Sequence, residues 1–263
     1  MQKIIIENTE IAYTDCGTGI PLVFIHGFAE DHSIWNKIVS EFEKTNRVIC
    51  IDIPGSGKSG PINVDITIDS LAELIHLFLL KLNLGKSFIF GHSMGGYIAL
   101  ALLDKFPDIF SGIGLIHSTS YADDDTKKQT REKAIAFIEK NGAQMFLETA
   151  IPDLYVDQSK HSDIIKQHIE TGAASGALHL QYYYRAMMQR PDRSAVLQKS
   201  NIPVLFVCGI HDKAVPLEHS LKQCYLANQT HVHLLKHSAH MGMMEETSEV
   251  IKAIQHFIQH SAT

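Results

Sequence analysis

The 263-residue chain has only four cysteines, Cys16, Cys50, Cys208 and Cys224, and no two of them form a C-x-x-C pair. The usual signatures of a structural zinc site or a redox-active dithiol are therefore missing. Cys50 and Cys208 fall inside the apolar runs VICIDI and VLFVCG. A small buried hydrophobe is the expected reading there, and no disulfide framework is expected. Long apolar runs are absent too: the stretch Leu74 to Leu82 is too short to span a bilayer and is interrupted by His76 and Lys81. The opening segment MQKIIIENTEIAY carries Glu7 and Glu10 and has no signal-peptide core followed by a small-residue cleavage site. A cytoplasmic, reduced protein is the resulting expectation. No basic stripe interrupts a formal net charge of −6, so neither nucleic acid nor an anionic membrane surface is an expected partner. There are no repeats and no low-complexity tract. What remains is 45% hydrophobic and 20% charged, enough for a large core, and the length suits one α/β domain with an insertion.

Hydrophobic patterning gives the order of elements. KIIIENTEIAYT alternates and predicts two short strands with a turn at Asn8-Thr9. PLVFIHG is a continuous apolar run of the kind that a strand buried on both faces requires, and RVICIDIPG, SFIFGHS, GIGLIHS, PVLFVCG and HVHLLKHS read as further buried strands. Helical spacing follows most of them. Ser33 is the expected cap of a helix through Trp35, Ile38 and Phe42; Thr67 or Asp69 opens one through Leu71, Ile75 and Phe78; Pro107 stops one over YIALALLDKF. A last helix covers SEVIKAIQHFIQH. Residues 119–200 have no buried-strand pattern. They read as helices: one ending at Gly142, then pieces near Ala143–Thr149, Asp163–Thr171 and Ala177–Gln189. The prediction is an α/β fold with a mostly parallel eight-stranded sheet covered by helices on both faces. Residues 1–118 and 201–263 form the core, and 119–200 a helical lid inserted at one edge, near the carboxyl ends of the strands where such sheets bind ligands.

Gly91-His92-Ser93-Met94-Gly95 fits G-x-S-x-G, and its setting matters more than the motif. SFIF precedes it and YIALALL follows it, so the serine occupies a strand-to-helix turn, the arrangement that lifts a nucleophilic Oγ above a sheet. Glycines leave room for that turn, and the helix N-terminus offers N–H groups to an anion. A serine needs a base to remove its proton. In the chain order Ser, acid, His, Asp212 at the end of VLFVCGIHD is the acid, and HLLKHSAHMG supplies His237 and His240. His237 lies near the strand end and His240 further into the loop, so His240 is preferred. The oxyanion donors are expected to be the N–H groups of Met94, after the nucleophile, and Phe28, in the loop after PLVFI. His26 reads as a brace for that loop and Asp52 as a turn-capping aspartate. His231 and His233 share a strand face but lack a third ligand, and no metal is expected. Gly57-Lys58-Ser59 resembles a P-loop end, but Asp52 stands where the motif needs glycine, so nucleotide binding is rejected.

HGFAEDHSIW, DIPGSGKS, GHSMGG, GIHDKAVP and HSAHMGMMEE resemble, in order and spacing, the signature segments of the α/β-hydrolase superfamily. The likeness is nearest to small serine carboxylesterases with a short helical lid, a group that includes cofactor-free perhydrolases and C–C bond hydrolases. It implies a Ser93–Asp212–His240 triad, an oxyanion hole at Phe28 and Met94, and no cofactor. The activity it implies is hydrolysis of a small carboxylic ester or thioester through an acyl-enzyme. Serine at position 93 disfavours epoxide hydrolysis and dehalogenation, which use aspartate there. Ala239 replaces a frequent glycine, and Met241 an aromatic common in the C–C hydrolases. The alternative readings are a C–C hydrolase, a perhydrolase, or a ligand-binding signalling protein that turns over slowly. Phe137, Phe146, Tyr155, Tyr182, Tyr183, Tyr184 and Met187 are the candidate pocket residues of the lid.

Overall fold

In the computed structural model, which describes residues 1–62 and 66–261, two left-handed residues begin the fold. Glu7 (φ 44°) and Asn8 (φ 68°) reverse the chain between β1 (Gln2–Ile6) and β2 (Thr9–Cys16). Positive φ at both central positions gives a hairpin turn whose twist matches its strands. The turn lies one residue earlier than expected, because β-branched Thr9 is better placed in the strand than at positive φ.

Beyond the hairpin come β3 (Pro21–Ile25), β4 (Arg47–Ile51), β5 (Ser87–His92), β6 (Phe110–Ile116), β7 (Val204–Gly209) and β8 (Thr230–Leu235). The eight strands form one sheet in the order β1-β2-β4-β3-β5-β6-β7-β8. Pairings β1–β2 and β2–β4 are antiparallel and the remainder parallel. Continuous apolar sequence serves both faces at once. Val23, Ile25, Ile89 and Phe206 point to one core, and Leu22, Phe24, Phe90 and Leu205 to the other. β8 departs from the expected buried strand: it is an edge, and Val232 and Leu234 face outward.

The helices are α1 (Asn36–Phe42), α2 (Ile68–Lys81), α3 (Met94–Lys105), α4 (Asp125–Ala150), α5 (Ser162–Ala174), α6 (Ala177–Gln189), α7 (Ser194–Lys199), α8 (Leu217–Cys224), α9 (Gly242–Glu245) and α10 (Thr247–Ser261). α2 and α3 pack on the first core, α1 and α10 on the second. α1 is not opened by Ser33. Asp31 accepts the Ser33 N–H at 2.9 Å and starts a 3₁₀ turn, His32–Trp35, ahead of it. Thr67 does cap α2, in a reciprocal box with Ser70. The α4–α7 segment leaves the sheet between β6 and β7, which are neighbours, so it rises from within the sheet and not from its edge. Gly142 (φ 84°) breaks α4 where the sequence predicted an end. α7 and α8 were not expected; they are short, and α7 lies in the polar return to β7. No described helix is long and apolar enough to cross a membrane.

Candidate active site

β5 runs straight into α3, and Ser93 is the hinge. Its backbone sits at φ 49°, ψ −114°, a region non-glycine residues enter only under constraint. The constraint is visible. The Ser93 N–H donates to Ile116 O (3.0 Å), and the Ser93 carbonyl accepts from Gly96 N–H (3.0 Å) and Ser118 Oγ (2.7 Å). Glycine at the flanking positions is obligatory for space: a Cβ at Gly91 would strike Gly95, one at Gly95 the Ile25 carbonyl, and one at Gly96 the Ser118 side chain. Sequence and packing thus hold the serine at the carboxyl end of the central strands.

Asp212 follows β7 and His240 follows β8, and the fold brings them together. His240 Nδ1 donates to Asp212 Oδ2 at 2.8 Å. A second ring shares that oxygen: His117 Nδ1 lies 3.1 Å from it. His117 Nε2 accepts the Gly242 N–H (3.2 Å), so the proton of this ring is on Nδ1, pointing at the carboxylate. Burial holds His117 down to about 4, which keeps it neutral. Asp212 Oδ1 accepts the Ala214 and Val215 N–H groups, both at 2.8 Å. Burial alone would raise the Asp212 pKa. The positive charge that His240 can carry and the hydrogen bonds from His117 and His240 outweigh it and hold the group well below the usual carboxylate range. The three side chains are close enough to suggest a metal site. With both Nδ1 atoms donating protons to Asp212, they form a hydrogen-bonded set instead. His237 is exposed; its backbone N–H donates to Glu246.

Behind the serine lies a buried ion pair. Glu30 Oε2 accepts His92 Nδ1 (2.9 Å) and the Gly27 N–H (2.5 Å), and His92 Nε2 donates to the His240 carbonyl at 3.0 Å. Both ring nitrogens face acceptors, so His92 is an imidazolium. Burial works against that charge, and Glu30 overcomes it, raising the His92 pKa. Glu30 is in turn held down to about 2: its burial is outweighed by His92. A carboxyl lowered on folding stabilises above its ordinary range and loses that as pH falls toward 2. An imidazole raised on folding stabilises below about 6.5 and loses that as pH rises through its folded value. Both contributions are present between about 4.5 and 6.5. Glu30→Gln is expected to cost about 3–5 kcal/mol there, the usual effect of breaking a buried pair. Thermal unfolding of wild type and variant at stepped pH checks this. The gap should shrink below pH 4; a gap constant from pH 3 to 6 would refute the assignment.

Ser93 and His240 line one cavity of about 150 Å³, together with Phe28, Glu30, Tyr97, Lys127, Arg131 and Tyr184. Phe28, in the loop after β3, stacks on Tyr184 of α6 at 4.3 Å. Met94 is the first residue of α3, where N–H groups have no carbonyl partner inside the helix. His26 braces the loop: its Nε2 accepts the Ile53 N–H at 2.9 Å, and Nδ1 donates to Gly27 O at 2.8 Å. Asp52 caps the next loop through the N–H groups of His32 and Lys58, both 2.8 Å away. The α4–α6 segment reaches the same region, with Tyr183 donating to the Pro54 carbonyl and Leu154 O accepting the His240 N–H. Of the seven aromatic and methionine candidates, Tyr184 and Met187 line the cavity with Ser93. Sequence reading missed Glu30, His92, His117, Arg131 and Lys127. The only signals for them were a histidine inside G-x-S-x-G and another at the end of GIGLIHS.

Residues 20–140 match the family described as the alpha/beta hydrolase fold. The thermophilic esterase from Thermogutta terrifontis, solved with malate bound, superposes with a TM-score of 0.93 at 25% identity, covering 100% of each chain. The 2-hydroxy-6-oxo-6-(2'-aminophenyl)hexa-2,4-dienoic acid hydrolase of Metapseudomonas resinovorans is 24% identical, with 97% of this chain and 89% of that protein aligned. The (E)-2-((N-methylformamido)methylene)succinate hydrolase of Acinetobacter baylyi is 25% identical over 96% of this chain and 95% of that protein. The eight-stranded sheet, the Ser93 hinge and these likenesses together give the chain the α/β-hydrolase fold, with residues 20–140 matching that family's model.

Proposed function

We propose that the protein is a serine hydrolase that cleaves a small carboxylic ester or thioester through an acyl-enzyme. The observation that carries this reading is the His240–Asp212 pair opening onto the cavity that also holds Ser93. With Nδ1–H given to Asp212, the lone pair of His240 is on Nε2. That nitrogen takes the Ser93 proton as Oγ attacks the carbonyl, and returns it to the leaving group. Water activated by the same nitrogen then releases the acid. Asp212 fixes the tautomer and stabilises the cation. The N–H groups of Met94 and Phe28 receive the oxyanion, and the helix end at Met94 adds its positive dipole. No step needs a cofactor. Residues 119–200 serve as a lid that shapes the pocket through Tyr184 and Met187.

A fluorophosphonate, which reacts only with an activated serine, is expected to label Ser93, and p-nitrophenyl esters of short acyl chains to be turned over many times. Labelling at another serine would refute the nucleophile. A burst of one equivalent with no further turnover would point to a slow ligand-binding protein instead.

A further inference from the structure

Two cations, Lys127 and Arg131, line the cavity of Ser93, and a third, Arg190, is joined to Arg131 through Asp123. Asp123, just before α4, pairs with Arg131 (Nε–Oδ2 2.6 Å) and with Arg190 (3.0 Å). Arg190 is engaged on several sides. It also donates to the carbonyls of Met187 (2.6 Å) and Tyr121 (2.9 Å) and lies 3.8 Å above the Tyr97 ring. Arg131 is not. Among the described residues its hydrogen bonds go only to Asp123, through Nε and Nη2. Nη1 keeps its two N–H groups, yet the side chain is only 12% exposed and lines the cavity of Ser93 and His240. Lys127 stands one helical turn before Arg131 and lines the same cavity. Its Nζ donates to Ala214 O at 2.9 Å, which leaves two more N–H groups.

The ionised Asp212 behind His240 offsets part of this charge and leaves one positive charge in excess. Glu30 reaches the cavity, but its charge is matched by His92. The rest of the lining is mainly apolar, including Phe28, Leu154, Met187 and Val215. A cationic surplus in a low-dielectric cleft attracts anions far more strongly than the same groups in water. The Tyr97 hydroxyl registers this field. Burial would raise its pKa, and Arg190, Lys127 and Arg131 lower it below the ordinary phenol value. In a chain of net charge −6, this site is a local exception to the composition.

We propose that the cavity selects anionic substrates: esters or thioesters carrying a carboxylate a few bonds from the carbonyl that Ser93 attacks, with Arg131 and Lys127 receiving that carboxylate. The proposal rests on the serine-hydrolase reading for its chemistry and adds the substrate class. A cavity of about 150 Å³ confines the charged portion to a short chain or a single ring.

Two matched pairs of esters test it. p-Nitrophenyl hemisuccinate against p-nitrophenyl 4-methylpentanoate places the charge in the acyl half. 4-Acetoxybenzoate against 4-acetoxybenzamide places it in the leaving group. Wild type is expected to prefer the charged member of at least one pair by tenfold or more in kcat/KM. Lys127→Gln and Arg131→Met should each cut that preference about tenfold. Where Arg131→Met fails to fold because Asp123 is left to Arg190 alone, the half-buried Lys127 carries the same test. Binding is read separately by titrating Ser93→Ala protein with succinate and with butyramide, with and without Lys127→Gln. Preference for the neutral member in both pairs, with succinate binding no better than butyramide, overturns the anion site and leaves the hydrolase reading standing. Succinate binding that depends on Lys127, with no ester turned over, supports the anion site and refutes the hydrolase reading.

Discussion

Ser93→Ala is expected to lower kcat for ester hydrolysis by 10⁴-fold or more while leaving the fold in place, since deleting a triad nucleophile removes nearly everything the triad contributes. The structural argument concerns what holds the turn. Every contact that fixes the hinge is made by backbone or by neighbours: Ser93 N–H to Ile116, Ser93 C=O to Gly96 and Ser118, and the close approach of Gly91, Gly95 and Gly96. The hydroxyl takes no part in these bonds, so its loss should move the unfolding midpoint little. Alanine keeps the Cβ, and with it the strain of φ 49°, ψ −114°. Ser93→Gly relieves that strain and should be more stable than Ser93→Ala, by about 1 kcal/mol once the extra freedom of glycine in the unfolded chain is set against it. The two variants should therefore be equally inactive but differ in stability. Retention of a tenth of wild-type kcat by Ser93→Ala would remove Ser93 from the mechanism. A less stable glycine variant would mean that the turn is not strained.

Much of this architecture is legible in the sequence because parallel strands buried on both faces leave no room for polar residues. VICI, FIF and VLFV therefore announce themselves, and the residues just after them announce the carboxyl end of the sheet. The candidates Ser93 and Asp212 are picked out in that way, and His240 by its place in the loop after the next strand. The edge strand β8 was overrated because Val232 and Leu234 read as core residues although the face they share is uncovered. The groups around the site were illegible for another reason. Glu30, His92 and His117 are polar residues at 2%, 0% and 1% exposure, which composition alone assigns to the surface. They are affordable inside only because each finds a partner far away in the chain: Glu30 with His92 and His117 with Asp212. Arg131 was hidden likewise, since on an amphipathic helix it reads as one of the solvated charges. Pairing across 62 or 95 residues has no local sequence signature.

His240→Ala should cost on the order of 10⁴-fold or more in kcat, and adding Asp212→Asn should then change activity hardly at all, because Asp212 acts on the reaction only through that ring. The hydrogen bonds sharpen the test. Asp212 accepts four N–H groups, from Ala214, Val215, His117 and His240. An asparagine has one acceptor oxygen, so in either orientation its NH₂ faces two donors. Asp212→Asn alone is thus expected to lose activity heavily and to lose stability as well, by about 1–3 kcal/mol for each donor left without a partner. In the His240→Ala background one of those donors is gone. With the amide NH₂ turned to the Oδ2 side, His117 is then the only ring that must yield, and it can do so by moving its proton to Nε2 at the expense of the bond from Gly242. The stability cost of Asp212→Asn should accordingly be smaller in the double variant than in the single one, a coupling of opposite origin to the catalytic one but visible in the same four proteins. His237→Ala is the control: its side chain is exposed and the bond to Glu246 is made by its backbone, so activity should stay within about twofold of wild type. Steady-state kinetics and thermal unfolding on wild type, the two single variants, the double variant and the control decide the matter. If the activity losses of the two single variants multiply in the double, Asp212 does not work through His240. If His237→Ala is the more damaging change, the base has been assigned to the wrong histidine.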